Sequence, residues 1–280
     1  MILIADGGST KCDWVIADTS KAEIVKSFQT EGINPFAKSE EQIYTLLKDS
    51  VAPQIEGYNI ERIAFFGAGV TVEKSAIMQN LLKNIAPEAD VAAQSDMEAA
   101  AKSAIGDGDG VVVILGTGSN SACYQSGAVV EKVASLGYIL GDEGSGTVMG
   151  KMLLSDFIYN QLPPHILKLF NEEYNTSLQE IVDRTYHKPA ANRFFSSFTP
   201  FISRHIDDEY CQGIVRYNFE RLAQRSLSQY DTDRLKINFV GSVAAIFEDI
   251  LTEVLEKYGM SKGIIVRSPI DNLVKNLTTK

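Results

Sequence analysis

The sequence predicts an α/β protein of two lobes, and three observations carry that expectation. A unit of strand, glycine-rich turn, strand, turn and strand begins at Ile2 and again at Val111, roughly 110 residues later. Elsewhere, short β-preferring runs alternate with amphipathic helical runs. At 280 residues, with 45% hydrophobic and 22% charged residues, the chain has the make-up of an ordinary globular protein long enough for two domains.

The first unit reads as a strand Ile2–Ala5, the turn Asp6-Gly7-Gly8-Ser9-Thr10-Lys11, a strand Cys12–Ala17, a turn and a strand Glu23–Phe28. Glu40–Val51 has helical spacing through Ile43, Leu46, Leu47 and Val51. A buried strand Arg62–Phe66, an amphipathic helix Val72–Ile85 and a short strand near Val91 follow. Ser95 and Glu98 then stand three apart before an alanine run, the spacing of a capping box, which puts Asp96 in the first helical turn. The second unit comprises the strand Val111–Leu115, the turn Gly116–Ser119, the strand Asn120–Tyr124, a turn and the strand Ala128–Val133. Asp142–Leu154 reads as a loop running into a helix, and Phe157–Tyr230 as helical and irregular, punctuated by Pro163-Pro164 and Pro189. Leu235–Val240 is a strand turned by Gly241-Ser242 into one long helix Val243–Lys257. A strand Gly263–Arg267 precedes a terminal helix, with Ser268 as cap and Pro269 in its first position. The glycine-rich stretch Ile105–Gly110 is the expected joint between lobes.

Bulk properties exclude several functions. A net charge of −10 with no basic cluster argues against a nucleic-acid partner. No run approaches the ~20 apolar residues of a membrane span, so neither a membrane partner nor a signal peptide is expected, and the setting is cytoplasmic. Cys12, Cys123 and Cys211 are far apart and read as buried thiols. His165, His187 and His205 share no metal-ligand spacing and read as surface or packing residues.

Chemistry concentrates at the second glycine turn. In Gly116-Thr117-Gly118-Ser119 the glycines remove bulk while the hydroxyls stand beside free backbone N–H groups, a concavity suited to phosphate. Ordinary hairpins favour the same residues. Two acidic segments strengthen the functional reading: Ser95-Asp96 upstream and Gly141-Asp142-Glu143-Gly144-Ser145 downstream. Phosphoryl transfer needs one carboxylate for the attacking hydroxyl and another near the metal. Acids at helix N-termini also serve the helix dipole alone, so each carboxylate has a plainer explanation too. By the repeat, the turns at Gly7–Lys11 and Gly116–Ser119 would stand on opposite walls of one cleft.

Taken together, Asp6-Gly7-Gly8-Ser9-Thr10-Lys11, Ser95-Asp96, Gly116-Thr117-Gly118-Ser119-Asn120, Gly141-Asp142-Glu143-Gly144-Ser145 and Gly241-Ser242-Val243-Ala244, in that order, resemble a known family. It is that of the N-acetylglucosamine kinases and the related activator-type ATPases, within the actin–hexokinase–sugar-kinase superfamily. The resemblance covers nearly the whole chain. It implies two ribonuclease H-like lobes with ATP in the cleft between them: residues 1–105 with 268–280, and residues 106–267 with a helical insertion. Gly7, Gly8, Ser9, Thr10 and Lys11 would form the first phosphate loop, and Gly116, Thr117, Gly118 and Ser119 the second. Gly241, Ser242, Val243 and Ala244 would lie against adenosine. Asp6 and Asp142 would hold Mg²⁺ through water. Asp96 would be the general base for the C6 hydroxyl of an amino sugar, held also by Asn34, Asn120, Ser135, Leu136, Gly137 and Asp142. The same resemblance leaves a homodimer open.

Two departures bear on the sugar. The first-lobe sugar loop reads Asn34-Pro35-Phe36, where relatives carry an aromatic directly after the asparagine, and Leu136-Gly137 stands where relatives show Trp-Gly. N-acetylglucosamine, glucosamine and N-acetylmuramic acid therefore all remain as substrates at this stage. Two other functions compete with a kinase: an activator-type ATPase, which needs cysteine ligands for an iron–sulfur cluster, and a non-catalytic sugar sensor, which has no need of a base.

Overall fold

Ile2, Leu3, Ile4 and Ala5 are all fully buried, because strand β1 (Ile2–Gly7) is central in its sheet and covered on both faces. A computed structural model of the chain describes residues 1–8, 11–106 and 108–278. It divides into two units: Met1–Gly108 with Ser126–Ala128 and Ser268–Lys280, and Asp109–Gln125 with Val129–Arg267.

In the first unit, β1 pairs antiparallel with β2 (Lys11–Asp18), which pairs antiparallel with β3 (Glu23–Glu31). Helix α1 (Glu40–Leu46) starts at a capping box of Ser39 and Gln42, and α2 (Ala52–Ile55) follows it. Strand β4 (Arg62–Gly67) lies parallel to β1, helix α3 (Val72–Lys83) follows, and β5 (Asp90–Ser95) lies parallel to β4 before helix α4 (Asp96–Ala104). Period-two alternation sorts the side chains by face. Leu3 and Ala5 join Trp14, Ile16 and Phe65 in one core, while Ile2 and Ile4 join Val15, Phe66 and Ala99 in the other. The Trp14 indole N–H donates to Thr30 Oγ1 at 3.0 Å, giving a buried polar tip its partner.

The expected helix Glu40–Val51 is not one α-helix. Residues 47–51 form a single wide π turn between α1 and α2. The cause lies in the spacing: Ile43, Leu47, Val51 and Ile55 recur every four residues and all are buried. On a 3.6-residue helix that stripe would rotate away from the core by about 40° per step, and a wide turn brings it back.

The second unit repeats the plan. Its strands β6 (Gly110–Leu115), β7 (Ser119–Gln125) and β8 (Ala128–Glu131) are followed by α5 (Gly137–Leu140) and α6 (Gly146–Ile158). Then come the helices α7 (Pro164–Glu173), α8 (Leu178–Tyr186), α9 (Ala191–Ser196), α10 (Thr199–Arg204) and α11 (Glu209–Arg225). Strand β9 (Ile237–Val240), α12 (Ser242–Ile246), α13 (Glu248–Lys257) and β10 (Lys262–Val266) complete it. The sheets run β3–β2–β1–β4–β5 and β8–β7–β6–β9–β10. These are the same order, with an antiparallel partner on one side of the first strand and parallel partners on the other. The repeat read from the sequence is thus a repeat of topology. The fold is the two-lobe actin-like one.

Two further local expectations need correction, and one element was not expected. Strand β8 stops at Glu131 rather than Val133, because the Val133 N–H turns to the Tyr230 hydroxyl instead of a sheet partner. The long helix Val243–Lys257 is broken at Phe247, whose backbone leaves helical values (φ −111°, ψ 30°) as its ring enters the core. The short helix α5, Gly137–Leu140, had no sequence signal at four residues. The histidines pair with surface carboxylates: His165 with Asp208, His205 with Glu173 and His187 with Asp183. Among the described residues no helix is long and apolar enough to cross a membrane.

Candidate functional site

The parallel strands of the first unit bring Gly7, Gly67 and Ser95 into register at their carboxyl ends, the edge where open α/β sheets bind ligands. Asp6 stands one residue back from this edge. Burial, then the negative charges of Asp13 and Asp96, push its carboxyl up to about 6, with Lys11 acting in the opposite direction. Asp13 faces Asp6 across the β1–β2 pair and is held by Lys11 at 2.9 Å and by the Gln29 amide at 2.6 Å. The Gly8 N–H closes the turn on the Lys11 carbonyl at 2.9 Å. Ser9 and Thr10 lie outside the described residues.

Asp96 is the first residue of α4. The cap is Ser95, whose Oγ accepts from the Glu98 N–H while Glu98 returns a bond from the Ser95 N–H at 2.9 Å. With that work done by its neighbours, Asp96 has one oxygen on the Met97 N–H at 2.9 Å and shares an electrostatic field with Asp6. Asn34 sits half-buried in the loop after β3. Its Oδ1 accepts from the Phe36 N–H at 2.9 Å, and Phe36 itself is 68% exposed with the Lys74 ammonium over its ring.

In the second unit the turn Gly116–Ser119 and the segment Asp142–Thr147 are one construction. The Gly146 N–H bonds the Gly116 carbonyl at 2.9 Å, and Thr147 reaches the Thr117 carbonyl through both its N–H (3.2 Å) and its hydroxyl (2.6 Å). The Thr117 side chain is left exposed. Ser145 caps α6 by accepting from the Val148 N–H. Gly144 must be glycine: its φ is +88°, and a Cβ there would stand 2.8 Å from Leu222. Fully buried Asn218 clamps the segment, accepting from the Gly144 N–H at 2.8 Å and donating to the Ser145 carbonyl at 3.1 Å. These constraints hold Asp142, itself at φ +64°, with its carboxylate against the glycine turn, where a Cβ on Gly118 would stand 3.0 Å from its Oδ2. Burial raises its pKa, with the Ser119 N–H and Lys151 opposing.

A pocket of about 220 Å³ opens beside this carboxylate. It gathers Ser119, Asn120, Ser135, Leu136 and Asp142 from the residues the sequence singled out. Gly137 does not line it and instead begins α5. The far wall was not foreseen: Arg225 and Ser226 at the end of α11, then Gln229, with Arg225 ion-paired to Glu143. Nothing in the sequence connects α11 to a loop some 80 residues earlier, so no local signal could have found it. Gly241 approaches β6 so closely that a Cβ would stand 2.2 Å from the Leu115 carbonyl oxygen. Val243 and Ala244 are buried in the core, which leaves Ser242 as the exposed residue of that turn.

Among the described residues no three His, Cys, Asp or Glu side chains gather to hold a metal alone. Mg²⁺ bound together with a triphosphate takes only one or two protein carboxylates, and the mutually repelling Asp6 and its acidic neighbours fit such a cation. All three cysteines are free and buried, in β2, β7 and α11, which leaves no exposed thiol for an iron–sulfur cluster.

No family model matches the sequence. No curated protein matches it either. Solved structures do. A candidate N-acetylglucosamine kinase from Porphyromonas gingivalis is 36% identical, with 100% of this chain and 99% of that one covered at a TM-score of 0.96. A candidate N-acetylglucosamine kinase from Chromobacterium violaceum shares the fold at 14% identity (99% and 98% covered, TM-score 0.72). So does a ROK-family glucokinase from Streptomyces griseus, solved with glucose and AMPPNP, at 13% identity (98% and 97% covered, TM-score 0.60).

Proposed function

The chain belongs to the N-acetylglucosamine kinase-like proteins of the actin-like ATPase and sugar-kinase superfamily and is an ATP-dependent sugar kinase; from that premise we propose that it phosphorylates the C6 hydroxyl of an amino sugar, N-acetylglucosamine first. One observation carries the reading. The Asp142 carboxylate lines the pocket with Asn120 and Ser135 and also stands against the phosphate-type turn, where a Cβ on Gly118 would meet its Oδ2 at 3.0 Å. Sugar recognition and phosphate recognition therefore share a carboxylate.

In this reading the residues of each unit have distinct work. Asp96 takes the proton from the sugar hydroxyl as it attacks, since a neutral alcohol is a poor nucleophile near pH 7. Asn120, Ser135, Leu136 and Asp142, with Asn34 of the first unit, fix the ring; Gly137 sets the backbone at the end of that segment. The backbone N–H groups of Gly7–Lys11 and Gly116–Ser119, with the Thr117 hydroxyl, receive the phosphates. Gly241 and Ser242 would face adenosine, with Val243 and Ala244 supporting them from the core. Asp6 and Asp142 would hold Mg²⁺ through water, and that ion would supply charge neutralisation on the transferred group. A cytoplasmic setting and a homodimer belong to the same proposal.

Two observations favour a second sugar. Leu136, which is 54% exposed, lines the pocket where a larger ring is expected, and Arg225 stands in the facing wall. Both suit a bulkier, acidic sugar such as N-acetylmuramic acid. ADP release measured across N-acetylglucosamine, N-acetylmuramic acid, glucosamine, N-acetylmannosamine and glucose tests the assignment, with the phosphorylated carbon located by NMR. Preference for glucose, or a phosphate on the anomeric carbon, would defeat it.

A further inference from the structure

Lys132–Leu136, which carries Ser135 and Leu136 to the pocket, has no regular secondary structure. Its position is set by side chains from other elements. At its start the Val133 N–H donates to the Tyr230 hydroxyl at 3.0 Å, and the same hydroxyl shares a 2.9 Å hydrogen bond with Ser121 Oγ on β7. Just past its end, the Lys151 ammonium of α6 donates to the Tyr138 carbonyl at 2.5 Å. Tyr230 is only 5% exposed and does not line the pocket, so its hydroxyl is not offered to a ligand, whereas Ser121, 4% exposed, stands in the lining. Ser121 follows Asn120 directly, and Val133 comes two residues before Ser135.

We propose that Tyr230 is a positioning residue for sugar binding: its hydroxyl joins Ser121 to Val133 and so sets the spacing between Asn120 and the Ser135–Leu136 wall. This rests on reading those pocket residues as sugar contacts. The bridge acts before chemistry. With it, the wall is ordered in the free enzyme; without it, the wall must be ordered at the cost of binding energy when sugar arrives. The loss belongs in sugar KM. Neither kcat nor the KM for ATP depends on it, because the phosphate turn is held separately, by Gly146 and Thr147.

The test is Tyr230→Phe, which keeps the ring and deletes one oxygen, assayed with whichever sugar the wild type phosphorylates fastest. Sugar KM should rise about 10-fold, the scale of one lost hydrogen bond in an ordered site, with kcat within about threefold and ATP KM within about twofold. Ser121→Ala breaks the same bridge from the other side and should give a rise of the same order. In the double variant the two effects should fail to multiply, because both remove one connection. A folded Tyr230→Phe enzyme with unchanged sugar KM overturns the proposal, as does an equal rise in both KM values. If Tyr230→Phe does not fold, Ser121→Ala decides on the same criteria. Failure of the wild type to use any amino sugar would count against the proposed function but not against this bridge, which is read with the sugar actually used.

Discussion

A carboxylate at the first position of a helix is held by the backbone, and that is how Asp96 can serve as a base. Its one oxygen on the Met97 N–H fixes the plane of the group, and the capping work falls to Ser95 and Glu98. Asp96→Asn keeps size and the backbone bond but cannot accept a proton. We expect kcat to fall by about 10² to 10⁴ with calorimetric affinities for sugar and ATP retained; an Asn variant of full activity would remove Asp96 from the chemistry. Asp6 gives a prediction of opposite sign. Its carboxyl is raised from the ordinary 3.8 to about 6 in the folded chain, so the folded state binds the extra proton between those values. Stability from this residue is therefore full below about pH 4 and lost as pH rises through 6. In metal-free buffer, Asp6→Asn should stabilise the protein at pH 7.5, by about 2 kcal/mol once the water still reaching this half-buried group is allowed for, and by almost nothing at pH 4. Thermal melts at the two pH values in chelator give the answer. With Mg²⁺ and ATP present the ranking should reverse, because only the wild type then gains a ligand.

At the scale of elements, the phosphate turn and the start of α6 depend on each other. The Thr147 hydroxyl, fully buried, shares its one proton between the Thr117 carbonyl at 2.6 Å and the Asn192 carbonyl at 3.0 Å. Thr147→Val has nearly the same shape and loses that donor. ATP KM should rise about 5- to 10-fold while sugar KM stays within twofold, on the scale of one net hydrogen bond. Steady-state kinetics with each substrate varied separates the two; a rise confined to sugar would contradict the coupling. Much of this was legible in the chain. Val111–Leu115, the glycine turn and the motif at Gly141–Ser145 are local, and local chemistry is what sequence patterns record. Less legible was what long-range packing decides. The π turn at Leu47–Val51 follows from a four-residue stripe that also reads as an ordinary helix until the core is seen. Arg225, Ser226 and Gln229 reach the pocket from the end of α11 and the turn after it, through packing that no local pattern records. Asn218, an amide in a helix interior, looks like a surface residue until its two bonds to Gly144 and Ser145 are counted.

For the whole molecule, the consequence of chain order is that the first unit is completed last. The face of its sheet that carries Ile2, Ile4, Val15 and Ala17 is covered by α4 and by the C-terminal helix Ile270–Thr278, whose Leu273 is fully buried there. Asn272 and Asn276 fasten that helix by donating to the carbonyls of Ser103 and Lys102 at 2.9 and 2.6 Å. The second unit has its own core around Val113, Phe201 and Phe239, with no member from this helix. Leu273→Ala should cost about 2–4 kcal/mol, the range for a buried leucine whose site cannot fully collapse. The loss should fall on the first unit. Trp14 is the chain's one tryptophan and lies in that unit, so its fluorescence reports the first unit alone, while the helical insertion in the second dominates the far-ultraviolet signal. In Leu273→Ala the tryptophan transition should move to lower temperature ahead of the helical one. In Phe201→Leu, a cavity in the other core, the order should invert. Two transitions that shift together in both variants would mean that the units melt as a single cooperative body, and that the terminal helix stabilises the whole chain rather than the lobe it closes.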